Sequence, residues 1–338
     1  MKKLNITILT NSTQEISPEN SNSKEIAGAE REVEHDIQDA LNKAGHRVRI
    51  LGIKDDVRNF FNTLLEYQDD IVFNICESFR NNSMMEMHVA AVLELVGLKY
   101  TGCGPTGLLY AQDKGITKKI LSYHGIKFPA FAVFPRGKGL ELRPSDLRFP
   151  LIVKPLTEDS SIGISGNSIV KNDEALNERI QFVHEKLEQD ALVEEYIEGR
   201  EFYVGLLGGA ELQVLPIIEV DFSNFPKDKP KVASFKAKWD MRYREEKGIR
   251  SIFPKDLPDE LIAKISEVSS LAFRALNLRD YARIDLRVTP DHEVYVLEAN
   301  PNPYIAEGED LPEAAAKKGM SYLEFLERIL DCALKRYK

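Results

Sequence analysis

The chain has 338 residues, 43% of them hydrophobic and 29% charged. That is an ordinary soluble composition on a length that suits two or three domains. A net charge of −9 argues against general nucleic-acid binding, and no apolar run approaches membrane-spanning length. Cys76, Cys103 and Cys332 are scattered and odd in number, with neither zinc spacing nor a disulfide framework, which fits a reducing cytoplasm. Leu4 to Leu9, broken by polar residues and followed by Thr10-Asn11-Ser12-Thr13, is too short for a signal-peptide core.

Residues 3–9 predict a buried strand, and the polar stretch from Asn11 to Lys24 a loop. Ile26, Ala29, Val33, Ile37, Leu41 and Ala44 recur at spacings of three and four, the mark of an amphipathic helix, which Gly45 ends. His46 to Ile53, 57–67, 70–76 and 85–97 continue as strand, helix, strand and helix. That alternation implies a parallel sheet with helices on its faces, a first unit running to about Gly104. A helix opened by Pro105 follows and ends near Gly125. "FAVF" and "PLIVKP" start a second, smaller sheet, with a helix over 172–187. "ALVEEYIEGREFYVGLLGG" holds two strand pieces around Glu198-Gly199. Strands at 211–220 and a hairpin over 281–300 complete a second sheet. The C-terminal helix packs through Leu323, Phe325, Leu326, Ile329 and Leu330.

The hairpin is the informative segment. Two alternating runs, Tyr281 to Val288 and Glu293 to Asn300, flank Pro290-Asp291-His292, a hairpin signal. Arg283 and Asp285 share one face of the first strand, and Glu298 and Asn300 one face of the second. With an even number of loop residues the two sets line the same face. Ile284, Leu286 and Val288 then point away, as do Tyr295 and Leu297. Carboxylates facing each other across strands are destabilising. A hard cation such as Mg²⁺, which takes oxygen ligands and shares them with phosphates, removes that cost. A polar, solvated sheet face with surface ion pairs is the alternative.

Other segments carry weaker signals. Lys154 ends an apolar strand before Glu158-Asp159-Ser160-Ser161-Ile162-Gly163, a small-residue turn whose hydroxyls and backbone N–H groups suit a phosphate. An ordinary turn has the same composition. Glu194, Glu195 and Glu201 surround a tight turn that suits an adenine edge and ribose hydroxyls, or is simply charged and exposed. Lys114, near a helix start, gains nothing from the dipole. An anion explains it, and so does solvation. Residues 222–252 hold nine Lys or Arg and four Asp or Glu, the charge of a loop that closes over polyphosphate, of a solvated loop, or of a nucleic-acid patch.

Taken in order, "YTGCGPTGLLYAQDKGITKKIL", "PLIVKPLTEDSSIGIS", "LVEEYIEGREF", "ARIDLR", "YVLEANPNP" and "LPEAAAKKGMSYLEFL" resemble the ATP-grasp superfamily, and within it the D-alanine–D-alanine ligase family, over nearly the whole chain. The resemblance implies an α/β chain with the ATP-grasp fold and an N-terminal Rossmann-like domain. The expected division is 1–104, then a central ATP-grasp subdomain over 105–193 and a C-terminal one over 194–338 bearing the metal site. It implies ATP and Mg²⁺, or Mn²⁺, as cofactors, and amino-acid substrates joined through an acylphosphate with release of ADP and phosphate. A cytoplasmic homodimer with neither nucleic-acid nor membrane partners is expected. By the same resemblance Lys114 and Lys154 hold the phosphates, while Ser160, Ser161 and Gly163 close over them. Glu194, Glu195, Tyr196, Ile197, Glu201 and Leu297 meet the nucleoside. Asp285, Glu298 and Asn300 ligate the metal, Arg283 stabilises the tetrahedral intermediate, and Lys238 reaches in from the covering loop. Glu30 matches the acid that grips the first substrate's ammonium.

The chain departs from the family where the amino acids should sit. Asn11-Ser12-Thr13 and a longer polar insertion replace a glycine pair. Trp239 takes the place of the tyrosine that pairs with Ser160, Tyr304 that of a glycine, and Glu309 that of a serine which holds the acceptor's carboxylate. Cys76-Glu77 replace His-Gly. A carboxylate at 309 repels another carboxylate, so the expected alternative is a ligase with another amino acid or amine as acceptor. From a different class, a nucleotide-binding scaffold without turnover has no use for Arg283.

Overall fold

The computed structural model describes residues 2–11, 33–66, 69–138, 143–158, 161–209, 211–226 and 230–338. The first unit alternates β1 (Asn5–Thr10), α1 (Val33–Lys43), β2 (Arg47–Gly52), α2 (Val57–Glu66), β3 (Ile71–Asn74) and α3 (Glu86–Leu95). Its strands form a parallel sheet in the order β2-β1-β3. Ile6 and Ile8 are fully buried on one side of β1, and Ile37 and Leu41, one helical turn apart on α1, join them in a common core. The expected start of this helix, at Ile26 and Ala29, lies outside the described residues, as do Glu30 and most of the polar insertion.

The single helix expected after Gly104 is two: α4 (Pro105–Gln112), with Pro105 at its first turn, and α5 (Lys114–Tyr123). The break falls at Asp113, whose extended backbone ends α4 and whose carboxylate accepts from the Ile116 N–H at 2.9 Å to cap α5. The chain then builds a four-stranded antiparallel sheet from β4 (Phe131–Phe134), β5 (Leu151–Pro155), β6 (Ile169–Val170) and, after α6 (Asp173–Lys186), β7 (Ala191–Glu195), in the order β4-β7-β5-β6. Val153 and Val193 of this sheet bury against Leu176, Ile180 and Val183 of α6.

The remaining strands make a six-stranded antiparallel sheet. It contains β8 (Arg200–Gly208), β9 (Gln213–Val214) and β10 (Ile218–Asp221); then, after α7 (Phe235–Trp239) and α8 (Met241–Lys247), β11 (Arg250–Ile252); and, after α9 (Asp259–Ala275), β12 (Asp280–Val288) and β13 (Val294–Asn300). The strands expected over 211–220 are β9 and β10, each pairing with β8. α10 (Asp310–Lys317) and α11 (Tyr322–Arg336) close the chain. Phe325, Leu326, Ile329 and Leu330 are fully buried on α11, each worth about 1.5–3 kcal/mol of apolar burial. On the opposite side of the sheet Ile284, Leu286, Val288, Val294 and Val296 share a core with Leu261, Ile265 and Ala272 of α9.

The hairpin differs from expectation in one consequential way. Val288 pairs with Val294, leaving an odd loop of residues 289–293, and Leu286 pairs with Val296, yet Asp285 pairs with Glu298. Leu297 is therefore an extra residue, a β-bulge. Without that one-residue slip the odd loop would set Leu297 opposite Asp285 and turn Glu298 to the far face. Tyr295 and Leu297 consequently do not point into the apolar core as expected. Tyr295 sits opposite Arg287, and Leu297 joins the acidic face.

Candidate active site

The polar face of the large sheet carries two short rows. Tyr203 on β8, Asp285 on β12 and Glu298 on β13 stand opposite one another; one step along lie Gly205, Arg283 and Asn300. Gly205 lets α10 pack closely, Leu311 Cδ1 lying 2.2 Å from where a Cβ would stand. Arg283 grips Asp285 with two parallel bonds, Nε to Oδ1 at 2.6 Å and Nη2 to Oδ2 at 3.0 Å, and lies over the Tyr203 ring at 4.5 Å. Lys238, from α7, points its ammonium between the acids, 3.4 Å from Asp285 Oδ2 and 3.4 Å from Glu298 Oε1. Burial alone would raise the Glu298 carboxyl. The ammonium groups of Lys238, Lys114 and Lys154 outweigh it and hold that carboxyl well below the usual range. Burial pushes Asp285 upward against the pull of Arg283 and Lys238.

The facing wall comes from the small sheet. Glu194 on β7 is buried and takes one ammonium on each oxygen, Lys118 at 2.7 Å and Lys154 at 2.8 Å. Burial would raise the Glu194 carboxyl too, and the two lysines hold it low. Burial pulls the fully enclosed Lys118 ammonium down against Glu194. Lys154, also buried, is held up because Glu298 adds to the pull of Glu194. Lys118 also donates to the Leu297 carbonyl at 3.2 Å, tying α5 to the bulge. Lys114, one helical turn before Lys118, is buried and donates to the Glu158 carbonyl.

Between the walls lies a cavity lined by Ile152, Lys154, Glu194, Glu195, Tyr196, Ile197, Glu201, Asp285, Leu297 and Glu298, with Ser161, Val232, Ala233 and Lys238 over it. Its volume is about 50 Å³, room for a few waters. A larger ligand enters only if the covering residues move. Ser161 Oγ donates to the Ala233 carbonyl at 2.7 Å, which joins the serine loop to that cover. Ser160 lies outside the described residues. Gly163, at φ 73°, holds a left-handed backbone that other residues seldom adopt. Glu195 accepts from the Arg148 N–H at 3.0 Å, and Glu201 pairs with Arg287 at 2.7 Å.

At the other end, Trp239 and Tyr304 meet edge to face with centroids 6.1 Å apart. Burial, then Glu309, Asp36, Glu34 and Glu77, push the Tyr304 phenol up to about 12. Glu309 stands immediately before α10, with no capping bond from its side chain, and Asp310 follows in the first turn, where acids are favoured by the helix dipole.

Asp285, Glu298 and Asn300 are hard oxygen donors. Among the described residues no three of His, Cys, Asp or Glu gather closely enough to hold a metal by themselves. Two carboxylates and an amide instead fit an ion that keeps waters and shares phosphate oxygens. Asn300 Oδ1 accepts from the Asn302 N–H at 3.0 Å, one of its two lone pairs.

Sequence reasoning missed Lys118, Arg287 and Tyr203. Lys118 was detectable, being four residues after Lys114 and so on the same helix face. Arg287 was detectable at even spacing from Arg283 and Asp285. Tyr203 gave no signal, yet its buried hydroxyl has no hydrogen-bond partner among the described residues.

Residues 120–331 match the D-ala D-ala ligase C-terminus family. An uncharacterized protein of Sinorhizobium fredii is 35% identical over 79% of this chain and 75% of its own. The D-alanine–D-alanine ligase of Aquifex aeolicus is 32% identical over 87% and 92%, and that of Syntrophotalea carbinolica 38% over 73% and 74%. The crystal structure of the Bacillus anthracis D-alanine–D-alanine ligase complexed with ATP superposes with a TM-score of 0.72, at 21% identity and 98% coverage of both chains, a likeness of fold. With two antiparallel sheets closing on an acidic and lysine-lined cleft, the chain belongs to the D-alanine–D-alanine ligase family and is an ATP-dependent ligase with the ATP-grasp fold.

Proposed function

We propose that this ligase joins two amino acids through an acylphosphate, with the cleft between the sheets as its active site. The observation that carries the reading is the Asp285–Glu298 pair, with Arg283 and Lys238 against it and the Lys118–Glu194–Lys154 cluster facing it. Lys114, Lys154 and Lys238 supply positive charge to the phosphates; Ser160, Ser161 and Gly163 form the loop beside them. Glu194, Glu195, Tyr196, Ile197, Glu201 and Leu297 take the nucleoside. Asp285, Glu298 and Asn300 hold Mg²⁺, or Mn²⁺, which when bound neutralises phosphate charge and orients the γ-phosphoryl group.

The first substrate's carboxylate attacks the γ-phosphorus as the bond to the β-phosphate oxygen breaks and ADP leaves. The second substrate's amine then attacks the acyl carbon, and phosphate departs. Positioning and charge neutralisation supply most of the rate. Arg283 faces the developing oxyanion, where loss of one donor costs about 3–4 kcal/mol of barrier. Glu30 receives the first substrate's ammonium. The reading includes the division at 104 and 193, a cytoplasmic location and a homodimer.

A second reading concerns the acceptor. The negative surroundings of Tyr304, and its contact with Trp239, favour an acceptor carrying an additional amine, or lacking a carboxylate there, over D-alanine. The test is ADP release by the purified protein with ATP, Mg²⁺ and amino acids singly and in pairs, with mass spectrometry of the products. Amino-acid-dependent ADP release with a dipeptide or amide mass is expected. No release with any pair overturns the ligation reading, and robust D-alanyl-D-alanine formation overturns the second.

A further inference from the structure

Arg287 is 4% exposed and spends its guanidinium on three separate acceptors around the cavity. Nη1 donates to the Ile197 carbonyl of the β7–β8 connection at 2.8 Å. Nε and Nη2 both donate to Glu201 Oε2, at 3.3 and 2.7 Å. Nη2 also donates to the Lys231 carbonyl of the covering segment at 2.5 Å. The same carbonyl accepts from the Tyr196 hydroxyl at 2.8 Å, and the guanidinium lies over the Tyr196 ring at 5.0 Å. A planar fork of fixed donors can hold three such acceptors at once; a lysine ammonium on a flexible stem cannot match that geometry.

We propose that Arg287 is a positioning residue that latches the covering segment at Lys231 to the nucleoside wall at Ile197 and Glu201, so that opening and closing of the cleft pass through this one side chain. The consequence for nucleotide binding rests on the reading of the cleft as an ATP site. Val232 and Ala233, immediately after the latched carbonyl, line the cavity, so freeing Lys231 frees its cover. Because the pair with Arg287 uses only Oε2 of Glu201, Oε1 stays available to a ribose hydroxyl, held in place by its partner oxygen.

The bond that trypsin would cut after Lys231 has the latched carbonyl as its acyl oxygen, while the Lys231 side chain is exposed. Cleavage there reports opening directly. Arg287→Lys keeps a positive charge beside buried Glu201, so the fold survives, but it loses the fork; Tyr196→Phe removes the second donor to the same carbonyl. For Arg287→Lys the expected result is a melting temperature near wild type, cleavage after Lys231 faster by about tenfold or more, and a KM for ATP raised about tenfold with a smaller change in kcat. Tyr196→Phe should show the same pattern more weakly. Wild-type cleavage rate and KM for ATP in both variants would overturn the latch. The protease readout needs no nucleotide. If the wild type binds no ATP but cleavage still depends on Arg287, the ATP-site reading fails and the latch stands.

Discussion

Lys238 holds its ammonium 3.4 Å from each of two carboxylates, and so supplies charge where a divalent ion would otherwise have to. An ion that ligates Asp285 and Glu298 competes with this tethered cation. Lys238→Ala is therefore expected to bind Mn²⁺ in the absence of nucleotide about tenfold more tightly than wild type, while turnover falls. Paramagnetic or calorimetric titration decides it, and equal affinities would mean that the lysine and the metal do not share the site. The acids themselves are legible in sequence, since carboxylates seldom stand alone among strand aliphatics. Lys238 is legible only through family resemblance, because a lysine among eight other basic residues of 222–252 has no local mark. Lys118 looks like any exposed helical lysine until Glu194, 76 positions along the chain, is placed against it.

At the scale of elements, the site depends on how strands are joined. The bulge at Leu297 corrects an odd hairpin loop and returns Glu298 to the face of Asp285. An alternating pattern predicts which residues share a strand face. It reveals neither the parity of the loop, which sets Tyr295 opposite Arg287, nor where an extra residue interrupts the ladder, which leaves Leu297 beside Glu298. The β7–β8 connection is equally constrained. A Cβ at Gly199 would lie 2.1 Å from the Val288 carbonyl oxygen and 2.7 Å from its carbon, both backbone atoms that yield only if β12 shifts. Gly199→Ala is expected to destabilise the protein by about 1–3 kcal/mol. It should also raise the KM for ATP more than it lowers kcat, since Glu201 lies two residues on and Val288 directly follows Arg287. Urea unfolding and steady-state kinetics check both parts, and an unaltered KM would separate this turn from the nucleotide wall. The split at Asp113 has a simpler origin: a capping aspartate overrides a continuous helical pattern, and so sets Lys114 at the first turn of α5.

For the molecule as a whole, the parallel unit and the order of strands and helices follow from apolar periodicity, but the assembly of the cleft does not. Glu194 and Glu298 come from different sheets, and the lysines that hold them low come from α5, β5 and α7. This shared charge cluster makes stability depend on pH in a definite direction. Both carboxyls are depressed in the folded protein, whereas in the unfolded chain they titrate near 4.3. As pH falls, the unfolded chain takes up these protons first. The stabilisation is complete above that pH and is lost progressively below it, as pH falls toward the folded values. Asp285, pushed upward by burial, works the opposite way and softens the decline. Glu194→Gln removes one depressed carboxyl and leaves Lys118 and Lys154 buried without their anion. It is expected to cost about 3–5 kcal/mol at pH 7. Its unfolding free energy should then fall less steeply than wild type below about pH 4.5, because the variant has one fewer carboxyl to protonate. Urea titrations at pH 7, 5, 4 and 3.5 test this. Parallel declines in the two proteins would show that Glu194 is not held low by its lysines.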